Sequence, residues 1–553
     1  MSKGYLLVIC LLAASLTGCM ETEDSDLDDD GQDIIVEHNN TLKWSGARNI
    51  TLLNGTYEGE GGLIVIDSKG NTYLVGSYRG TINFNGTEIK NNNLTYGDSV
   101  YEQTSQFLAK LNSSGIWDWV IDIGAADDGT YVNQISLDFE DNLHVGGNFR
   151  RDNFTFGSVT LNTTGGSDIF VVKLDEKGVV QWAVTAGGGQ DLGGDSYFND
   201  ENINGLTVHS NGDVYVTGSF QKTAWFGDYN ITSGGYENRV RNGFVAKLSN
   251  EGIWEWVTKV AGDYNTVSNI ELLSTGDAYV SGQFESGTIF FDDIELEKTA
   301  CDWCDFVAKI SSNGTWIWAM DSGIEATTGQ NPRITPSAIA VDSNGVLHVV
   351  IRQDIGYDGD ANFNVSIAKI NENKEWTWIN HFGANCFLSI SGLHIDSAGE
   401  IYVHGSAEPN EDYDDDEAAR VIIGNFTIMP ETKCDYPCYD SYGGYYSKST
   451  AFIAKLDASG SWADGIEALS YSIRDIMITS NDNIYATGYI MEPTEFGCEV
   501  VTGNPGKRDI FITEISMEDC NPDDKDDDES SLPSVSMIPA LISIGLIAIY
   551  RRK

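Results

Sequence analysis

The chain has 553 residues, with 83 Asp and Glu against 33 Lys and Arg, for a net charge of -50. A polyanion of this kind repels phosphate backbones instead of releasing their counterions, which excludes nucleic acid and leaves neutral, cationic or metal-bridged partners. The length has room for several domains, yet one recurring unit takes up nearly all of it, so a single large domain with short flanks is expected.

Lys3 and the apolar run Tyr5 to Ala14 make residues 1–18 a predicted signal peptide. Leu16-Thr17-Gly18-Cys19 resembles a lipoprotein signal, and the resemblance implies cleavage before Cys19 and a lipid on its thiol. Residues 19–39 form an acidic linker. Within it Asp26, Asp28, Asp30, Gly31 and Glu37 have the spacing of an EF-hand calcium loop. The flanks lack a helical pattern, Asp33 stands where an apolar residue is usual, and an acidic linker produces such matches by chance, so both readings stand.

Between residues 40 and 517 one pattern is spelled seven times: an apolar strand, a tight turn and a second strand, as in Val65-Ile66-Asp67-Ser68-Lys69-Gly70-Asn71-Thr72-Tyr73-Leu74-Val75. The other turns centre on Asp141-Asn142, Gly212-Asp213, Gly276-Asp277, Gly345-Val346, Gly399-Glu400 and Asp482-Asn483. Each copy continues with a third strand such as Phe107-Leu108-Ala109-Lys110-Leu111, and six copies add, after another turn, a fourth with a single tryptophan or with a pair at i and i+2, as in Trp117 and Trp119. Alternating apolar and polar residues between Gly, Asn, Asp and Ser clusters give four strands per copy, here a to d, and no helix. A unit that cannot bury its own apolar face must stack on its neighbours. The predicted fold is therefore all-β, a seven-bladed β-propeller of four-stranded blades. The seventh copy stops at Thr513-Glu514-Ile515 without a strand d, and Thr41-Leu42-Lys43-Trp44-Ser45-Gly46 is expected to supply it and close the ring. Tryptophans in the d position are expected to pack between blades.

The repeat resembles the β-propeller family labelled SBBP, as seen in Gly212-Asp213-Val214-Tyr215-Val216-Thr217-Gly218-Ser219-Phe220, Trp225-Phe226-Gly227 and Phe244-Val245-Ala246-Lys247-Leu248 through Trp256. The resemblance implies the fold over nearly the whole region and a surface or secreted protein, and it carries no catalytic residues. The fifth copy ends strand b in Ile351-Arg352 instead of Gly-Ser, and Asp141 and Asp482 replace the turn glycine.

Of nine cysteines, Cys10 and Cys19 belong to the signal. Cys301 with Cys304, and Cys434 with Cys438, are expected to form local disulfides in an exported protein. Cys386, Cys498 and Cys520 have no partner at local spacing. Neither Gly-x-Ser-x-Gly, His-Glu-x-x-His nor a Walker glycine loop is present. His144 and His348 take the slot of Tyr73, and His209, His394 and His404 lie in or beside strands, where packing is the expected role.

Turns a–b and c–d are short, whereas connections b–c and d–a are long, so one face is elaborated. It carries Trp303 and the acidic, tyrosine-rich segment Glu408 to Ser449 with Tyr436, Tyr439, Tyr442, Tyr445 and Tyr446, the candidate ligand-binding residues. After a second acidic linker at 518–531, residues 532–550 are mostly apolar and would extend about 28 Å as a helix, enough to span a bilayer. Residues 551–553, Arg551-Arg552-Lys553, would stay cytoplasmic and leave the propeller outside. Leu532-Pro533-Ser534-Val535-Ser536 does not match the sortase motif of wall-sorted proteins. The expected function is a non-catalytic, membrane-anchored cell-surface propeller that binds an extracellular protein or glycan and needs no cofactor. The alternatives are a surface enzyme acting on polysaccharide through acids at the axis, and a structural surface-layer component.

Overall fold

In a computed structural model the chain separates into Met1–Asn40 and Thr41–Lys553. The described residues all fall in the second part: 43–49 and 58–516, apart from 85, 92–93, 97–98, 102, 126–128, 151–152, 189–200, 235–239, 325–332, 355–362, 372, 409–419, 425, 429–449, 469–470, 491–493, 497–498 and 502–507. The predicted signal, both acidic linkers and the predicted span at 532–550 lie outside them. Among the described residues no helix is long and apolar enough to cross a membrane.

The described residues are all-β and build repeated four-stranded units, each named here by its first residue. The Glu58 unit pairs Glu58–Ile66, Thr72–Arg79, Ser105–Leu111 and Trp117–Ala125, in that order, as strands a, b, c and d. The order recurs in the Tyr131 unit, with Tyr131–Leu137, Leu143–Phe149, Asp168–Leu174 and Val180–Gly188. The Asn202 unit has Asn202–Val208, Val214–Phe220, Asn242–Leu248 and Trp254–Lys259. The Asn265 unit has Asn265–Leu272, Ala278–Phe291, Ile294–Ile310 and Trp316–Met320. The Arg333 unit has Arg333–Val341, Leu347–Asp354, Phe363–Ile370 and Trp376–Ala384. The Phe387 unit has Phe387–Ile395, Ile401–Glu408, Thr450–Leu456 and Trp462–Ala468. In the Tyr471 unit, Tyr471–Ile478, Ile484–Ile490 and Asp509–Ser516 are joined in the sheet by Lys43–Asn49, antiparallel to Asp509–Ser516 with Lys43 opposite Ser516 and Asn49 opposite Phe511.

The turns explain the spacing. Asp67 follows strand a, and its carboxylate accepts from the backbone N–H of Lys69 at 3.0 Å and Asn71 at 2.8 Å, while Gly70 takes a φ of 78° that a Cβ would resist. Asp141 holds the same conformation, φ 62°, without being glycine. Its carboxylate accepts from Ser68 of the preceding unit, from N at 2.9 Å and from Oγ at 2.7 Å, which offsets the local strain.

Strand a is longer than the expected Val65 to Asp67, because the glycine-rich stretch from Glu58 lacks the apolar alternation that marks a strand in sequence. The a–b register slips at the same point in every unit, for example between Val132 and Gln134, Ile203 and Gly205, and Ile473 and Asp475. Such bulges turn extra side chains toward the neighbouring unit. Asn133 Nδ2 donates to the Ile203 carbonyl at 3.0 Å, Gln134 Nε2 to Asn204 O at 2.7 Å and Asn204 Nδ2 to Val267 O at 2.9 Å. Each strand a lies against the next, and Glu58–Ile66 lies against Tyr471–Ile478, where Ile64 N donates to Asp475 Oδ2 at 3.1 Å.

The tryptophans of strand d act as packing residues. The first meets a phenylalanine edge-on: Trp117 with Phe84 at 5.0 Å, Trp254 with Phe226 at 5.0 Å and Trp316 with Phe291 at 4.9 Å. Those phenylalanines sit in hairpins or strand extensions inside the long connection b–c; Thr81–Phe84 with Thr87–Lys90 and Thr223–Phe226 with Tyr229–Thr232 are two of the hairpins. The second tryptophan reaches the following unit. Trp182 Nε1 donates to Asn250 O at 2.8 Å, and a Cβ on Gly252 would stand 2.7 Å from its ring. The lysine of the Ala-Lys pair lies over the strand-b tyrosine and near an acid, as Lys110 does with Tyr73 at 4.8 Å and Asp67 at 3.6 Å.

His144 takes the tyrosine slot in the Tyr131 unit. It is wholly buried against Trp182, opposite Lys173 and near Asp138, which itself pairs with Lys173 at 3.0 Å. Burial first, and then the Lys173 charge, lower its pKa to about 4 against Asp138, which acts the other way. The unfolded chain binds this proton near pH 6.5 and the folded chain only near 4, so the contribution of His144 to stability is full above about 6.5 and falls by roughly 3 kcal/mol as pH drops through that window. His144→Tyr, the residue of the other units, should remove this component. Guanidinium midpoints of the two proteins should therefore converge above pH 7 and separate toward pH 4.5, with the variant the more stable; a constant gap would contradict the assignment.

Candidate functional site

Antiparallel order puts turns a–b and c–d at one end of every sheet and connections b–c and d–a at the other, and hydrogen bonds keep the two sets apart. At the short-turn end, turn meets turn: Ser113 N donates to Asn71 Oδ1 at 3.1 Å, Ser312 N to Asp277 Oδ1 at 3.2 Å, and Lys69 pairs with Glu176 at 2.6 Å. At the other end, connection meets connection: Glu201 N donates to Ser167 O at 2.9 Å, Asp263 N to Thr288 O at 3.1 Å and Asn385 N to Arg420 O at 3.2 Å.

Trp303 stands at this second end. The expected loop around it is strand, because Ile294–Ile310 pairs with Ala278–Phe291 along its length and sets Trp303 opposite Glu285. Cys301 and Cys304 form a disulfide with Cα atoms 5.6 Å apart; both are buried, so the half-buried Trp303 is held between two fixed points. Its ring meets Tyr264, from connection d–a, at 5.4 Å and 90°, and Tyr264 O accepts from Glu285 N at 2.8 Å. Trp303 also bridges the backbone of Arg333, an exposed residue that heads its strand a. Tyr131 and Phe387 head their strands in the same way and are 43% and 47% exposed. Tyr264, Arg333, Tyr131 and Phe387 carry no signal of a site in the sequence, because they stand at or beside strand starts and not within an aromatic-rich connection.

Tyr436, Tyr439, Tyr442, Tyr445, Tyr446, Cys434 and Cys438 lie outside the described residues, as do Cys19, Asp26, Asp28, Asp30, Glu37, Cys498 and Cys520. Strands Ile401–Glu408 and Thr450–Leu456, which flank positions 409–449, end and begin at the end that carries Trp303, and between them the described strands Val421–Ile423 and Phe426–Ile428 form a hairpin against Trp376–Ala384. Cys386 is buried and unpaired, and burial pushes its thiol up to about 12.

Two inner-strand acids have carboxyl groups that burial raises to about 7: Glu271 on Asn265–Leu272 and Asp475 on Tyr471–Ile478. Asp475 is gathered with His394 and His404, the three offering ligand atoms that all lie within 4.8 Å of one another. From strand alternation alone both histidines are expected to be packing residues.

Comparison with protein families and with curated proteins finds no match to this sequence. Among solved structures the chain is similar to the Dos1 propeller, at 10% identity over 87% of this chain and 97% of that one, with a TM-score of 0.39. A protein of unknown function from Dyadobacter fermentans is similar at 9% identity over 71% and 96%, with a TM-score of 0.36. The leech intramolecular trans-sialidase is similar at 8% identity over 81% and 89%, with a TM-score of 0.34.

Proposed function

We propose that the chain is a seven-bladed β-propeller of the SBBP type, closed by Lys43–Asn49, held at the cell surface by a lipid on Cys19 and a C-terminal span, and binding an extracellular protein or glycan through its long-connection end. The repeat count in the sequence, the contact of each strand a with the next, and the pairing of Lys43–Asn49 with Asp509–Ser516 support the ring. The observation that carries the binding role is the Trp303–Tyr264 pair. It sets an aromatic platform at 5.4 Å beside the exposed Arg333, anchored by a disulfide and belonging to no unit's shared packing pattern. Aromatic and arginine side chains held rigidly at a surface are the residues that dominate recognition.

A glycan array and a pull-down against surface extracts, both run with the whole chain, give the ligand class. Trp303→Ala should then weaken binding by about thirtyfold, roughly 2 kcal/mol, with an unchanged melting profile. Unaltered binding by both Trp303→Ala and a variant lacking 409–449 would end this reading.

A further inference from the structure

His404 presents a problem that packing does not solve. It is wholly buried, and neither ring nitrogen has a hydrogen-bond partner. The corresponding position in the other units, two residues beyond the strand-b tyrosine slot, holds Val75, Gly146, Thr217, Ser281, Val350 or Thr487, all small or β-branched. An imidazole left unsatisfied there forfeits its hydration with nothing in return. Room for the ring exists because Gly392 lies directly opposite, where a Cβ would stand within 2.2 Å of His404 Nε2. The His394 ring stacks beside it at 5.5 Å and 26°. From the following unit Asp475 approaches the same space, with Oδ2 held by Ile64 N at 3.1 Å and the carboxylate thereby oriented.

We propose that His394, His404 and Asp475 bind one divalent metal ion of the zinc class between the Phe387 and Tyr471 units. Two imidazoles and one carboxylate suit a borderline d-block cation and not calcium, which takes oxygen ligands. Tetrahedral zinc with bonds of about 2.0–2.1 Å sets its ligand atoms roughly 3.3 Å apart, so the cluster, now within 4.8 Å, closes by small ring rotations. The Ile64 amide supplies the outer hydrogen bond that usually orients a metal-bound carboxylate. The ion would staple the Phe387 unit to the Tyr471 unit beside the Glu58 unit, the place where the chain's first and last repeats meet. A fourth position stays open to water or a donor from a ligand. This site is independent of the Trp303 platform.

The test uses the whole chain, stripped with a chelator and titrated with zinc chloride against a competing zinc indicator. We expect one tight equivalent per chain by elemental analysis and a rise of several degrees in the thermal midpoint on loading. His404→Val, which installs the residue of Val75 and Val350, should lose that equivalent and the zinc-dependent rise while its stripped form melts at or above the stripped parent. Should this variant not fold, Asp475→Asn is expected to weaken zinc at least tenfold. Equal zinc content in parent and variants, or no tight equivalent in the parent, overturns the proposal.

Discussion

Replacing Trp254 with alanine should lower stability by about 3–5 kcal/mol, the usual cost of emptying a buried aromatic site. The side chain is 7% exposed and belongs to a core that includes Ile203, Phe220, Phe226 and Phe244. It meets Phe226 edge-on at 5.0 Å, and its Nε1 donates to Thr185 O, on strand d of the preceding unit, at 3.3 Å. One truncation thus opens a cavity under the Thr223–Phe226 hairpin and removes a bond between units. Trp378 provides the contrast: it stacks on Trp376 at 5.7 Å and 13° but is 36% exposed, so Trp378→Ala should cost roughly 1 kcal/mol or less. Guanidinium midpoints of the two variants measure the difference. Equal costs would mean that the d-strand tryptophans owe their recurrence to something other than packing.

Deleting residues 43–49 should be more damaging still. Six positions of this strand pair with Asp509–Ser516, and at about 1 kcal/mol net per hydrogen bond the lost ladder alone removes several kcal/mol. The uncovered strand carries Ile510, Phe511 and Ile512, all buried, and it would become a long apolar sheet edge. Edges of that kind recruit other chains. The deletion should therefore yield aggregated protein or a monomer with a much lower and broader unfolding transition, whereas removal of residues 21–37 should leave both properties intact. Light scattering with thermal denaturation distinguishes the outcomes, and a monomer as stable as the parent would show that the strand is dispensable.

The units were legible because their chemistry repeats at fixed offsets. A left-handed turn residue recurs in every copy, and an acid, a tyrosine, an Ala-Lys pair and a spaced tryptophan pair recur in most, each answering a local demand: a positive φ, a turn amide, a cation, a covering ring. Trp44 was legible as a strand-d residue for the same reason. The hairpins in connection b–c were missed, although Phe226-Gly227 and Phe156-Gly157 mark two of their turns, because their strands of three or four residues fall below the length at which alternation can be recognised. The inner-strand bulges were missed because a one-residue slip leaves no trace in the composition of the strand.

The His394, His404 and Asp475 cluster was illegible for a different reason. Strand alternation reports which residues are buried within a unit, but not which side chain of the next unit they face, and the amide that orients Asp475 lies 411 positions away in the chain. Even so, a line-by-line comparison of the repeats would have isolated His404 as the one imidazole in a column of Val, Gly, Thr and Ser. The Trp303 platform was half legible: the lone tryptophan between two cysteines was recognised, whereas Tyr264 and Arg333, which complete it, come from elements that only the fold brings alongside.

The most direct measurement is an electron-microscopy reconstruction of the whole chain. Seven wedges around one axis are expected, with residues 43–49 forming the outer strand of the sheet that contains 509–516. A different number of wedges, an open arc, or a terminal strand lying apart from that sheet would contradict this arrangement.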